Sequence, residues 1–525
     1  MLPPEIFEGV LEQLRIVHSD PLSTNCATCY SRDLHSIALS SRSLYRVVRP
    51  HLYDQVWIVG SDSALHTKKK FKIKYGCRLK LLRRTLRENP SLAVLVRELK
   101  VPNLSGSFPF ESEDHRKYSD VVASVVMCCP SLERLVGFYP TYCHEFDRLR
   151  HALSTRTKLQ EQVWIIGDSE QGVRDNKHDL SSLRPEAMDA FLRYHDLWQS
   201  LHTLILHSQG KGILDHELFV AIFSRLPSLE KLCVSNFRSE DFNDSTLQAL
   251  PALRCLRLQD LHGLTDDGVF RFASRPASRT LESVSFINLE LMNLAVISKL
   301  FASLHNLKRF ILLQDSSPEL PVGGLVLQPV IASSSVEFLH WDVLIPGSAN
   351  DNLAHSIRFG GFPNLRTLRA PSDHHGVLQA VCKPLERIAI ASDKFSLARR
   401  QLVAQNRYSR TLSMARTGAQ DRIEEARRYV QFKLVVEEDG IVKQIFHMNG
   451  FMGSIGSGIN YSLAPDVKGS DNAVIDVNDL TGGENEYNVR DGCTGMWNAM
   501  HPAGKRWWYH TERYRFRRVD LEKFF

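Results

Sequence analysis

A short pattern returns along the middle of the chain and limits what it can fold into. It is an apolar residue, two variable ones, an apolar residue, one variable one and a third apolar residue. It reads Leu201-His-Thr-Leu204-Ile-Leu206, Leu229-Glu-Lys-Leu232-Cys-Val234 and Leu253-Arg-Cys-Leu256-Arg-Leu258. Further copies begin at Leu132, Leu281, Leu307, Val336, Leu365 and Leu385, with weaker ones at Val96 and near Gln160. From Leu201 the starts are 28, 24, 28, 26, 29, 29 and 20 residues apart. Alternating apolar positions predict a short strand. The prolines ahead of several copies (Pro130, Pro227, Pro251, Pro363) stop a preceding helix. Between copies lie amphipathic stretches such as 217–226, where Leu218, Phe219, Ile222, Phe223 and Leu226 share one helical face. Each unit is then a strand plus a helix, too small to bury its apolar face alone, so neighbours stack into one continuous core. Unrelated β/α units of some other α/β fold are the alternative reading.

The period and the pattern resemble a divergent leucine-rich-repeat array of the kind found in fungal and plant receptors, over roughly residues 93–392. The fold this implies is α/β, a leucine-rich-repeat solenoid or horseshoe. The asparagine usual in such repeats is mostly missing, and Asn236 and Asn288 are its best candidates. The variable strand positions share the other face. There the sequence puts Lys100, Arg134, Lys231, Arg257, Arg309, Arg369 and Arg387 against one acid, Glu98, together with Trp164, Phe338 and His340. Arg134, Lys231, Arg257, Arg309, His340, Arg369 and Arg387 are the expected target-binding set on the concave face. Arginine grips carboxylate and phosphate bidentately, which favours an acidic or phosphorylated protein target. Glutamates one position earlier (Glu133, Glu230, Glu282, Glu337, Glu386) offer to neutralise that column, and ordinary charge for solubility is the plainer account.

The first 57 residues have no such repeat. Leu2-Pro3-Pro4-Glu5-Ile6 opens a helix with proline at its start. Ile6, Phe7, Val10, Leu11 and Leu14 form its apolar face. A second helical pattern runs from Asp33, a plausible N-cap, through Leu34, Leu39 and Leu44 to Arg46. Leu-Pro-x-Glu-Ile followed by Asp-Leu and Ala-Leu-Ser-Ser-Arg-x-Leu-Tyr-Arg resembles an F-box, although the connection 15–32 is longer than that family's usual one. The resemblance implies a helical module that docks on a Skp-type adaptor and through it on a cullin. Leu2, Pro3, Ile6, Leu11, Leu34, Leu39 and Leu44 would make the adaptor contacts and the module's own core. A small helical cap on the array is the alternative.

Other signals are weaker. Cys26-Ala-Thr-Cys29 has no second ligand pair at zinc spacing, and Cys493, His501 and His510 lack a fourth ligand. The glycines at 450, 453, 456 and 458 lack the Gly-Lys-Ser/Thr ending of a phosphate loop and read as a flexible loop. Neither G-x-S-x-G nor HExxH occurs. Residues 68–87 hold ten lysines and arginines and no acid, which predicts a basic helical linker with a solvated face. Strand signals at 432–436 and 441–446 predict a hairpin. With Trp497, Trp507 and Trp508 it belongs to an aromatic-rich β module that caps the array or recognises a partner.

The chain divides accordingly into 1–57 F-box-like, 58–92 linker, 93–392 repeats, 393–431 helical connector and 432–525 capping or recognition module. Its 525 residues are 43% hydrophobic and 24% charged, which excludes a mostly disordered chain. A net charge of +6 is too small at this length to argue for nucleic acid. Ten scattered cysteines fit reduced thiols in the cytosol or nucleus. No membrane segment, metal site, cofactor or catalytic residue is expected. The sequence reads as the substrate-recognition subunit of an SCF-type ubiquitin ligase, itself no enzyme, or else as a repeat scaffold without a ligase role.

Overall fold

The computed structural model describes residues 4–19, 27–58, 77–101, 113–167, 183–210, 212–321, 328–393, 412–429, 431–466, 472–481 and 521–525. The chain divides into two compact units. The first holds residues 1–204, 224–229 and 476–520; the second holds 205–223, 230–475 and 521–525.

The first unit begins with three helices, α1 (Pro4–Ser19), α2 (Ala27–Ser40) and α3 (Arg42–Asp54). They enclose a small core of Leu11, Leu34 and Val48, with Leu14, Tyr30, Ile37, Val47 and Leu52 packed around it. Asp33 lies inside α2 and faces His18 at 3.1 Å, so it is not a cap. The cap is Ser41, whose extended backbone breaks the run and whose hydroxyl accepts a hydrogen bond from the Leu44 amide. The long connection also shrinks, because α1 runs on to Ser19 and α2 starts at Ala27. Cys26 and residues 68–76 fall outside the described residues; the remainder of the basic stretch is helical over Cys77–Glu88.

Beyond this, β1 (Gln55–Trp57), β2 (Glu98–Lys100) and β3 (Arg134–Val136) form a parallel sheet. β4 (Thr141–Tyr142) and β5 (Glu161–Ile166) are parallel partners as well. Trp164 sits within an aromatic cluster of Tyr142, Phe191, His195 and Trp198 and is fully buried. It belongs to the core of this unit and not to an open face.

The second unit is a succession of strand and helix. Its strands are β6 (Thr203–Ser208, from Ile205 on), β7 (Lys231–Ser235), β8 (Cys255–Gln259), β9 (Ser283–Ile287), β10 (Arg309–Gln314), β11 (Phe338–Val343) and β12 (Thr367–Arg369). Each strand pairs with the next in chain order. The successive pairs from β7 to β12 are parallel. One cross-strand row holds Leu232, Leu256, Val284, Phe310, Leu339 and Leu368; the next but one holds Val234, Leu258, Phe286, Leu312 and Trp341. All are buried, which is where the second and third apolar positions of the repeat go. The predicted helix forms as His216–Arg225 and buries Leu218, Phe219, Ile222 and Phe223.

The copy beginning at Leu385 forms no strand. The position beyond β12 is taken by β15 (Asn460–Tyr461), parallel to it, where the Tyr461 hydroxyl donates to the Ala370 carbonyl at 2.9 Å. The hairpin is present as β13 (Gln431–Glu438) and β14 (Ile441–Asn449). Asp439 and Gly440 have φ of 55° and 78°, the left-handed pair that suits a two-residue turn. The glycine loop is pinned rather than loose. Gly453 has φ 127°, and a Cβ there would lie 2.7 Å from the Cys382 carbonyl, which accepts the Ser454 amide. No described helix is long and apolar enough to cross a membrane.

Candidate functional site

Side chains that point away from the apolar rows make the candidate site. In a strand, alternate residues share a face, so the first and third residues of each strand lie together. The register puts Lys231, Cys255, Ser283, Arg309, Phe338 and Thr367 in one row. Cys233, Arg257, Ser285, Ile311, His340 and Arg369 make the adjacent row on the same face. Lys231, Arg257, Arg309, His340 and Arg369 therefore come together as the repeat spacing predicts.

Two expected members do not join them. Arg134 lies on β3 in the other unit and pairs with Glu161 at 3.1 Å. Arg387 lies outside any strand, exposed, and donates to the Ala389 carbonyl at 3.1 Å. The Leu385 spacing of only 20 residues was the sequence signal that this last copy differs.

The face is not an open basic surface either. Arg257, His340 and Arg369 are buried, and residues from far along the chain cover the two arginines. Arg257 donates to the carbonyls of Phe524 at 3.1 Å and Ile475 at 2.5 Å, and to the Gln259 side chain at 2.8 Å. Its guanidinium lies 3.9 Å from the Phe524 ring centroid. Arg369 donates to the Ala473 carbonyl at 2.8 Å and pairs with Asp466 at 2.9 Å. Arg309 reaches the same carboxylate at 3.5 Å and lies 4.1 Å from the Phe338 ring, a cation–π geometry. The Ser283 hydroxyl donates to the main-chain oxygen of Phe525 at 2.9 Å.

Asp466 is the group that sequence reasoning missed. It bridges two arginines that would otherwise repel at close range, and nothing in the local sequence marks it. Burial lowers the Arg309 pKa, an effect that Asp466 opposes. His340 is held well below the usual imidazole pKa, first by burial and then by Arg369 and Arg309, so it is neutral.

The glutamates serve a different set of cations. Glu282 pairs with Arg254 and Lys308, each at 3.0 Å, and Glu230 with Arg254 at 3.4 Å. These cations follow the first leucine of a repeat, so the glutamates leave the arginine column to Asp466 and to main-chain carbonyls. The side chains of Glu282, Arg254 and Lys308 are partly exposed, and such pairs add little stability.

At the other end of the chain, Leu11 and Leu34 are core residues and Leu44 is half-buried. Ile6 is 49% exposed and Leu39 74%, and Val10 and Tyr45 are exposed too. Leu2 and Pro3 fall outside the described residues, as do residues 482–520 with the tryptophans and the possible zinc ligands of the tail. Among the described residues no group of three or more His, Cys, Asp or Glu could hold a metal ion.

No protein-family model matches the sequence, and no curated protein matches it. Solved structures give weak likenesses. TLR13 in its complex with ssRNA13 matches at 16% identity with a TM-score of 0.30, over 54% of this chain and 37% of that one. The leucine-rich repeat-containing protein LegL7 of Legionella pneumophila matches at 14% identity and 0.29, over 54% and 77%. The yeast Rad7 and Elc1 complex matches at 14% and 0.29, over 66% and 92%. A leucine-rich-repeat protein is thus among the neighbours, but scores this low establish no shared function.

Proposed function

We propose that the chain is a non-catalytic protein-interaction subunit, and that it acts as the substrate receptor of an SCF-type, cullin–RING ubiquitin ligase. The observation that carries this reading is the division of labour among the N-terminal leucines. Leu11 and Leu34 hold the three-helix module together, while Ile6, Val10 and Leu39 are left in solvent. Large apolar side chains that a small module exposes are suited to docking on a partner, and they include residues that the F-box resemblance assigns to the Skp-type adaptor.

In this reading the repeats form a horseshoe solenoid that holds a protein target, acidic or phosphorylated, in the cytoplasm or nucleus. Ubiquitin passes from a separate conjugating enzyme to the target, accelerated by proximity and orientation. The chain itself then needs no nucleophile, base or cofactor.

The test is a pull-down of purified Skp-type adaptor by wild type, Ile6→Asp and Leu39→Asp. Burying one such side chain is worth about 1.5–3 kcal/mol, so each charge should weaken capture by roughly 10-fold or more. Undiminished capture, or none by the wild type, would leave the repeat scaffold without a ligase role as the better account.

A further inference from the structure

The arginine-bearing face is already occupied, and by the chain itself. Two stretches distant in sequence fill it: Asp466 with Ala473–Ile475, and Leu521–Phe525. What the groove recognises can be read from what it holds. Arg257 and Arg369 take main-chain carbonyls, and Ser283 takes the main-chain oxygen of Phe525. Arg309 and Arg369 share one carboxylate. The Arg257 guanidinium and the Phe524 ring stack on one another.

This is the chemistry of peptide recognition. Donors from two adjacent strand rows take main-chain oxygens, and an acid and an aromatic supply specificity, with Leu521–Phe524 held as a 3-10 turn. The terminal occupant suits it. Leu521, Phe524 and Phe525 are buried, whereas Glu522 and Lys523 are exposed. Five residues have no core of their own, so this groove supplies the burial that orders them.

We propose that this groove is a recognition site for a short aromatic peptide of a protein partner, bound as a helical turn, and that Leu521–Phe525 is its built-in occupant. A partner peptide binds by displacing Leu521–Phe525 from Arg257 and Ser283. The proposal deepens the protein-binding half of the function proposed above and does not depend on the adaptor.

An occupant that belongs to the same molecule competes with any outside peptide for the groove. The apparent affinity for an outside peptide falls by the fraction of molecules whose groove is open. Loosening the occupant must therefore raise that affinity.

The experiment uses the full-length chain without adaptor and a fluorescein-labelled peptide of its own residues 520–525, read by fluorescence anisotropy. The double variant Phe524→Ala/Phe525→Ala should bind the probe at least about 10-fold more tightly than wild type. Adding Arg257→Ala should abolish the gain. A probe with both phenylalanines replaced by alanine should bind neither protein. Equal binding to wild type and double variant, or no binding to either, overturns the proposal and leaves Leu521–Phe525 as a structural cover. Stronger binding of a polyuridylate RNA than of the peptide, lost in Arg257→Ala, also overturns it.

Hydrogen exchange on the unaltered chain gives a second readout that needs no variant to fold. Saturating probe should speed exchange at the Leu521–Phe525 amides. Binding without that change refutes displacement. Because no adaptor is present, failure here leaves the ligase reading standing, and failure of the adaptor pull-down leaves this proposal standing.

Discussion

Asn236, Asp260 and Asn288 each stand four residues after the second apolar position of their repeat, and each has a left-handed backbone with φ of 60°, 52° and 52°. Asparagine and aspartate tolerate this region better than other side-chain-bearing residues. Their side chains tie neighbouring turns together. Asn236 donates to the Ser208 carbonyl and Asn288 to the Asp260 carboxylate, both at 2.7 Å. Asn236→Ala loses one such bond and meets the left-handed penalty as well, so urea unfolding should show a loss of about 1–3 kcal/mol. Asn236→Gly should recover part of that loss, and an Ala variant as stable as wild type would contradict the account. The two asparagines were legible because the repeat predicts them. Asp260 occupies the same offset, where its residue type departs from the repeat pattern. Asp466 was not legible at all, since its partners lie 157 and 97 residues earlier, at Arg309 and Arg369.

Elements that bury a repeating face were read well, and those fixed by a single polar contact were not. The strands from β6 to β12 and the helix His216–Arg225 follow from apolar spacing, because burial rewards the same positions in every copy. The Leu385 copy has the apolar pattern of a strand start yet lies outside the sheet, where β15 takes the place. The helix Leu412–Tyr429 falls inside the expected 393–431 connector, but the polar contact that anchors it was not legible. Arg416 donates to Asp393 through two of its nitrogens, at 2.6–3.1 Å, and to the Leu463 carbonyl at 3.0 Å, all buried. Removing one partner strands a buried charge, so Asp393→Ala should cost about 3–5 kcal/mol in chemical denaturation. Replacing the exposed Leu39 by Ala should change stability by no more than about 0.5 kcal/mol. A cost at Leu39 comparable to that at Asp393 would mean that Leu39 serves the fold rather than a partner.

Across the whole molecule, buried titratable groups link stability to pH. Burial lowers the His195 pKa from 6.5 to about 4, and His115 and His340 are lowered in the same sense. The unfolded chain then binds the extra protons, so stability is fully present above pH 6.5 and is lost as pH falls toward 4. His195 alone accounts for about 3 kcal/mol at the lower end. Asp241 works the other way. Burial, only partly offset by Arg238, raises its pKa to about 6, so its contribution is present at low pH and is lost as pH rises from about 4 to 6. Denaturation curves between pH 4.5 and 7 should become shallower in pH for His195→Gln and steeper for Asp241→Asn; unchanged slopes would contradict both assignments. Sequence alone determined the repeat, its strands and helices and the row of arginines on one face, because hydrophobic burial acts through local periodicity. Whether that face was open, which carboxylate neutralised it and which leucines of the first helices were left in solvent were decided only by tertiary structure. Those outcomes depend on contacts between residues up to 267 positions apart, as between Arg257 and Phe524, and no local pattern encodes them.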